Sequence, residues 1–288
     1  MGAPEGLRPR GDRTGPALSA LADSVTAGPR VSTTRGPFRG NSPVEVPTCV
    51  RRTSLDMQLR FDGVAFDLDH TLLVDNRLER VALLDLIVRI DASGAPMRLS
   101  LDRAGIVADE ELFRYRNEGV DLDSMLRRFV ERCGGSGGEA WVPWFRQRAL
   151  DLVPRMVLPM PAAGRVLPAL AEANLRIAAL SNGPSPLQER KAAQIGFYYP
   201  VLTSEQIGSS KPDPAAFELL ATTMGLEAER IAYVGDDPYM DIAGALEAGF
   251  AGIWFDGGSK PYPADIPPPT ATILSLDELL PLLAKPAV

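Results

Sequence analysis

The sequence predicts an α/β fold in which a parallel sheet carries helices on both faces. From Val64 onward, short apolar runs alternate with amphipathic stretches of helical period, the pattern of strands joined by helical crossovers. The runs are apolar throughout, as strands buried on both faces must be. One interval, 75–160, breaks the alternation with helical patterns alone and predicts a helical insertion after the first strand.

The elements follow in order. Residues 1–56 are dense in Gly, Pro, Ser, Thr and Arg, contain no Lys and show no periodicity. Such a stretch buries too little apolar surface to offset its chain entropy. It is read as a disordered or mis-annotated extension, with Met57 an alternative start. It lacks the apolar core of a secretory signal, and Glu5, Asp12, Asp23, Glu45 and Asp56 argue against a transit peptide. Val64–Phe66 is the first strand. Helices are expected over Leu78–Ile90, Leu122–Cys133 and Trp141–Leu152, with Gly134–Gly138 as a flexible connection between the last two. The alternation then resumes. Helices are read at Ala162–Ala173, Pro186–Ile195, Pro214–Met224 and Met240–Ala248, and strands at Ile177–Leu180, Val201–Leu202, Ile231–Val234 and Gly252–Phe255. Pro261–Pro269 is too proline-rich for a regular element, and Ser275–Leu283 reads as a capped final helix. The division is therefore an extension (1–56), a core (57–74 with 161–288) and a helical domain (75–160).

Composition narrows the function classes. A net charge of −7 at pH 7 argues against a general nucleic-acid binder, whose footprint is basic. No apolar run approaches the ~20 residues of a membrane span, and a cytoplasmic protein is expected. Cys49 and Cys133 lie far apart and read as unrelated reduced thiols. His70 is the single histidine, so no multi-histidine metal site can form, and Ser-His-Asp chemistry would have to run through it.

Four segments carry chemistry. Asp67 and Asp69 follow the first strand, where open α/β sheets bind their ligands. Strand alternation would turn both side chains into the same crevice. Ser181-Asn182-Gly183 follows a second strand, Lys211 precedes a helix in SSKPDP, and Asp236 and Asp241 follow a further strand in VGDDPYMDIAGA. Each has an ordinary alternative as a turn or helix start. The ordinary account must recur four times in one order, always beside a strand end or helix start.

In these segments the chain resembles the haloacid dehalogenase (HAD) superfamily. Asp67-x-Asp69-x-Thr71, Ser181, Lys211 and Gly235-Asp236-xxxx-Asp241 match its four motifs in order, from about Val64 to the C-terminus. The resemblance implies a Rossmann-like core with a helical C1 cap inserted after the first strand, and a phosphatase-type member. It implies Asp67 as nucleophile and Asp69 as general acid and base, with Lys211 beside them. Asp67 and Asp236 would ligate Mg²⁺ by side chain and Asp69 by its carbonyl, with Asp241 behind the ligands and Asp237 a further contributor. Ser181, Asn182 and Thr71 would bind the substrate phosphate. The charge logic agrees: crowded carboxylates facing a dianionic phosphate need a hard divalent cation. An acid at Asp69 points to an alkoxide leaving group rather than a halide. His70 stands where this family more often has glycine. It could tune Asp69 or touch substrate, but the reading here is an imidazole filling space beside the loop.

The expected substrate is a small phosphorylated metabolite such as a nucleotide, a sugar phosphate or a phosphoglycolate-like acid. The alternatives are a phosphomutase or phosphotransferase on the same core, and a catalytically idle binding module. Between Asp75 and Leu170 there is neither lysine nor histidine, which argues against cap-lysine Schiff-base chemistry and against a mutase. Arg114, Arg116, Arg127, Arg128 and Arg146 remain as cap cations, most of them read as solvated helix-face charges. Trp141, Trp144, Phe113 and Tyr115 read as helix-core packing.

Overall fold

The structure is a computed structural model that describes residues 61–94, 98–258 and 261–283. The extension read at 1–56, with Cys49 and Met57, lies outside them. Strand β1 (Gly63–Phe66) leads through a tight turn into the two-residue β2 (Leu73–Val74). Four helices follow: α1 (Leu78–Ala92), α2 (Leu101–Asn117), α3 (Leu122–Arg132) and α4 (Val142–Met156). The chain returns through β3 (Leu158–Pro159), which pairs antiparallel with β2. Next come α5 (Ala163–Glu172), β4 (Arg176–Ser181), α6 (Leu187–Gln194), β5 (Val201–Thr203), α7 (Ser204–Ile207) and α8 (Pro214–Met224). The last elements are β6 (Ile231–Gly235), α9 (Gly244–Glu247), β7 (Ala251–Phe255), β8 (Ala271–Ile273) and α10 (Leu279–Leu283).

The main sheet has six strands in the order β5-β4-β1-β6-β7-β8, every pair parallel. Its two faces are covered separately, because side chains alternate along a strand. Val64 and Phe66 of β1 join one apolar cluster with Val166 and Leu170 of α5, Leu187 of α6 and Leu279 of α10. Ala65 joins the other, with Phe217 and Leu220 of α8 and Ala245 of α9. Each fully buried Val, Leu or Phe contributes roughly 1.5–3 kcal/mol to such a core.

The expected helices differ from the structure in a few places. Helix α2 is absent from the sequence reading. Its inward face is Ala104, Val107, Ala108 and Leu112 with the buried Glu111 among them, while Leu101 and Ile106 are exposed, so a charge interrupts its apolar stripe. Glu111 is held by Arg128 and Arg132 of α3 at 3.2 and 2.8 Å. Strand β8 was also unread; it is a three-residue edge strand. The helix expected over Met240–Ala248 begins earlier as a π-helical turn, Pro238–Ala243, before α9. Gly134–Gly138 does connect α3 to the next helical turn, and Gly134 and Gly137 have φ of 96° and 66°. Cys133 is a buried free thiol. Among the described residues no helix is long and apolar enough to cross a membrane.

Candidate active site

Asp67 follows β1, Ser181 ends β4 and Asp236 follows β6, and β1 lies between the other two strands. The chain runs outward from β1 to β4 and β5, then returns to lay down β6, β7 and β8 on the other side. That reversal opens a crevice at the strands' carboxyl ends. The Asp67 N–H donates to Val234 O at 2.9 Å, which fixes the acid against the neighbouring strand.

Lys211 is buried at the centre of the crevice. Its Nζ donates to Asp67 Oδ1 at 2.5 Å and to Asp241 Oδ1 at 2.7 Å, and lies 5.7 Å from the Tyr233 ring centroid. Burial disfavours the ammonium, yet the Asp241 and Asp67 charges outweigh it and raise its pKa well above the usual lysine range. Burial also raises the Asp67 carboxyl well above its usual range, against the pull of Lys211, and Asp241 and Asp236 add to the rise. Asp236 is pushed up to about 7, first by burial and then by the Asp241 charge. Asp67, Asp236 and Asp241 each bring an oxygen within 4.8 Å of the other two. Acids this close repel one another unless a cation sits among them, and all-oxygen donors suit a hard divalent ion. Asp241 already accepts on both oxygens, from Lys211 and from the Asp237 N–H at 3.0 Å. Asp67 and Asp236 are therefore the better placed to hold the ion. Gly235 permits this arrangement, because a Cβ there would lie 2.3 Å from Asp241 Cγ.

Several expected roles look different at atomic distance. Strand alternation stops at Phe66, so Asp67 and Asp69 do not share a partner: Asp67 meets Lys211, and Asp69 meets Lys191. The Asp237 carboxylate caps the following turn, accepting from Tyr239 N and Met240 N at 2.8 and 2.9 Å. Asn182, expected at the phosphate, exchanges two 2.9 Å hydrogen bonds with the Lys211 backbone and braces that loop. Thr71 is buried, and its hydroxyl donates to Asp236 Oδ1 at 3.4 Å. Ser181 is buried at its strand end, as expected. His70 does not pack into the loop. It is exposed, with φ of 66°, and lines a cleft of about 730 Å³ beside Asp236 and Tyr239. That left-handed backbone explains why glycine is favoured at this position.

Three residues of the site went unread. Lys191 is wholly buried and donates to both oxygens of Asp69, at 3.0 and 3.1 Å, and to Asp75 Oδ2 at 3.1 Å. Gln188, one turn earlier on α6, donates to Asp69 Oδ2 at 3.2 Å. Trp254 of β7 donates its indole N–H to Asp236 O at 3.1 Å. One sequence signal does exist for Lys191. The chain has 30 Lys plus Arg but only four lysines, at 191, 211, 260 and 285. A position that keeps lysine in so arginine-rich a chain points to a need for a compact ammonium.

A second cleft, of about 540 Å³, opens between the inserted helices and the sheet. Tyr115, Arg116 and Val120 line one side, and Asn182, Glu205 and Lys211 the other. The arginines of the insertion are mostly paired, not merely solvated. Arg116 contacts Glu79 and lies 4.0 Å from Asp75, and Arg146 donates to Ser185 O at 3.0 Å and pairs with Glu205. Trp141 and Trp144 pack against the main core under Arg89. Phe113 is 61% exposed, against the expected packing.

Fold and site together define an α/β protein with an acidic, cation-ready centre at the switch point of its sheet. The family model described as haloacid dehalogenase-like hydrolase matches residues 61–249, and the chain belongs to that family. It is an enzyme of the phosphatase type. It is 30% identical over 233 residues to a phosphoserine phosphatase of Thermus thermophilus, covering 70% of this chain and 91% of that one. It is 32% identical over 140 residues to the pyrimidine 5'-nucleotidase YjjG of Escherichia coli, covering 47% of this chain and 61% of that one. Among solved structures, a magnesium-bound HAD hydrolase, YfnB of Bacillus subtilis, shares the fold with a TM-score of 0.60 at 21% identity. The match covers 77% of this chain and 97% of that one.

Proposed function

We propose that this protein is a Mg²⁺-dependent phosphomonoester hydrolase of small phosphorylated metabolites, acting through an aspartyl-phosphate at Asp67. The observation that carries the reading is the buried Lys211 bridging Asp67 and Asp241 beside Asp236. A nucleophilic carboxylate facing a dianion needs positive charge on more than one side. Lys211 supplies one part. Mg²⁺ held by Asp67 and Asp236 would supply the rest, lowering the repulsion between these acids and the phosphoryl oxygens.

In the first step Asp67 attacks phosphorus in line and the P–O bond to the alcohol breaks, with Asp69 giving the leaving oxygen a proton. In the second, Asp69 takes a proton from water, which adds to phosphorus and releases Asp67. The Ser181 hydroxyl and the backbone N–H groups beside it would bind a phosphoryl oxygen. Asn182 keeps Lys211 in register, and Thr71 orients Asp236. The inserted helices act as a cap over the cleft that Lys211 opens onto, and Tyr115 and Arg116 are their contribution to its wall.

The relatives named above act on phosphoserine and on pyrimidine nucleotides, so a fold core at this identity does not choose the alcohol. A cytoplasmic metabolite fits best. The test is Mg²⁺-dependent release of phosphate from p-nitrophenyl phosphate and from a panel of metabolite monoesters. Turnover is expected with Mg²⁺ and not with EDTA, and Asp67→Asn should reduce it to background. Full activity in that variant would overturn the nucleophile assignment.

A further inference from the structure

We propose that Lys191 is the positioning residue for Asp69, setting its carboxylate geometry and tying it to the start of the inserted helices through Asp75. The inference rests on the reading of Asp69 as acid and base given above. An ammonium has three donors, and all three are accounted for here: Asp69 Oδ1, Asp69 Oδ2 and Asp75 Oδ2, at 3.0, 3.1 and 3.1 Å. Gln188 adds a third hydrogen bond to the Asp69 carboxylate, at Oδ2. Gly183 makes room for that contact, since a Cβ there would lie 2.3 Å from Gln188 Nε2. Asp69 therefore stands apart from the group formed by Asp67, Asp236 and Asp241, and its carboxylate is held from the α6 side while staying part-exposed.

The hold extends beyond Asp69. Asp75 precedes α1 by three residues, its Oδ1 accepts the Arg77 N–H at 3.0 Å, and Arg116 of α2 lies 4.0 Å from its Oδ2. Arg116 also pairs with Glu79 in the first turn of α1. Lys191 thus stands at one end of a chain of charges running from Asp69 to the insertion. Of the chain's four lysines it is one of two that are buried among the described residues, and the other is Lys211. A compact ammonium meets two carboxylates from one point, which a planar guanidinium cannot do in the same space.

The experiment compares kcat/KM for p-nitrophenyl phosphate, whose leaving group departs without help from an acid, with that for an alkyl monophosphate, whose leaving group needs one. Positioned acid catalysis is worth about 10²–10⁴-fold, so Asp69→Asn should lose about that factor on the alkyl ester and far less on the aryl ester. Lys191→Gln is expected to reproduce the asymmetry, with a loss of at least about 30-fold on the alkyl ester and under about 3-fold on the aryl ester. Equal losses on both esters in Lys191→Gln, with the asymmetry intact in Asp69→Asn, would overturn the role of Lys191 alone. Absence of the asymmetry in Asp69→Asn itself would overturn the acid assignment, and the positioning role with it. Where Lys191→Gln does not fold, Lys191→Arg carries the same comparison with the charge retained, and the same two outcomes decide it.

Discussion

Trp254 shows how a residue outside the motifs controls one inside them. Its indole N–H holds the Asp236 carbonyl at 3.1 Å, and so sets the path of the backbone that presents the Asp236 carboxylate. Groups that orient a metal ligand typically affect metal affinity by about 10–100-fold. Trp254→Phe keeps an aromatic side chain but removes the indole donor together with the five-membered ring. It is expected to raise the Mg²⁺ concentration for half-maximal activity about tenfold, and to lower stability by about 1–3 kcal/mol through the lost hydrogen bond and the space left behind. Metal titration of activity and a thermal melt check the two parts separately. At this scale the motif aspartates and Lys211 were readable, because their types and their place beside strand ends are local facts. Lys191, Gln188 and Trp254 were not, because nothing in their own neighbourhoods names Asp69 or Asp236 as the partner. Asn182 and Asp237 have side chains that can serve a ligand or a backbone, and in the structure both are bonded to backbone.

Helix α8 illustrates why some elements were predicted to the residue. Asp213 accepts the Ala215 N–H at 3.0 Å, Pro214 occupies the first turn, and Gly225 ends the helix with φ of 62°. Each of these end signals acts within a few residues. Asp213→Ala should cost about 1 kcal/mol by loss of the cap. Because Lys211 is anchored by Asn182 and not by this cap, kcat/KM is expected to stay within about twofold of the parent while the urea midpoint falls. Helix α2 was missed for the opposite reason. Its inward face depends on Glu111 being neutralised by Arg128 and Arg132 from α3, and an acid reads as outward until those partners are known. The π-helical turn after Asp237 is similar. Asp237 caps it locally, but the contact that ties Asp241 to Lys211 comes from 30 residues away and is not written in the turn.

For the whole molecule, the crowded acids make stability depend on pH and on metal together. The Asp236 carboxyl moves from 3.8 to about 7 on folding, so between those values the folded state holds a proton that the unfolded state has lost. Its contribution to stability is fully present below the lower value and is lost as pH rises through about 7. A divalent cation competes for the same oxygens and binds their ionised forms. Metal-free protein should therefore lose this contribution between about pH 4 and 7, and the Tm gain from Mg²⁺ should grow from pH 5 to pH 8. Melts at three pH values, with MgCl₂ and with EDTA, measure it. A Tm gain independent of pH would count against the acid cluster as the binding site.

The sequence by itself determined the layered fold, the strands whose ends carry Asp67, Ser181 and Asp236, and the family to which the chain belongs. It could do so because strand burial, helix ends and motif spacing are short-range patterns. Only the tertiary structure decided which charge answers which. Lys211 meets Asp67 across 144 positions and Lys191 meets Asp69 across 122. A buried ammonium must find carboxylates, but the loop paths that bring them into reach are set by how the strands and helices pack.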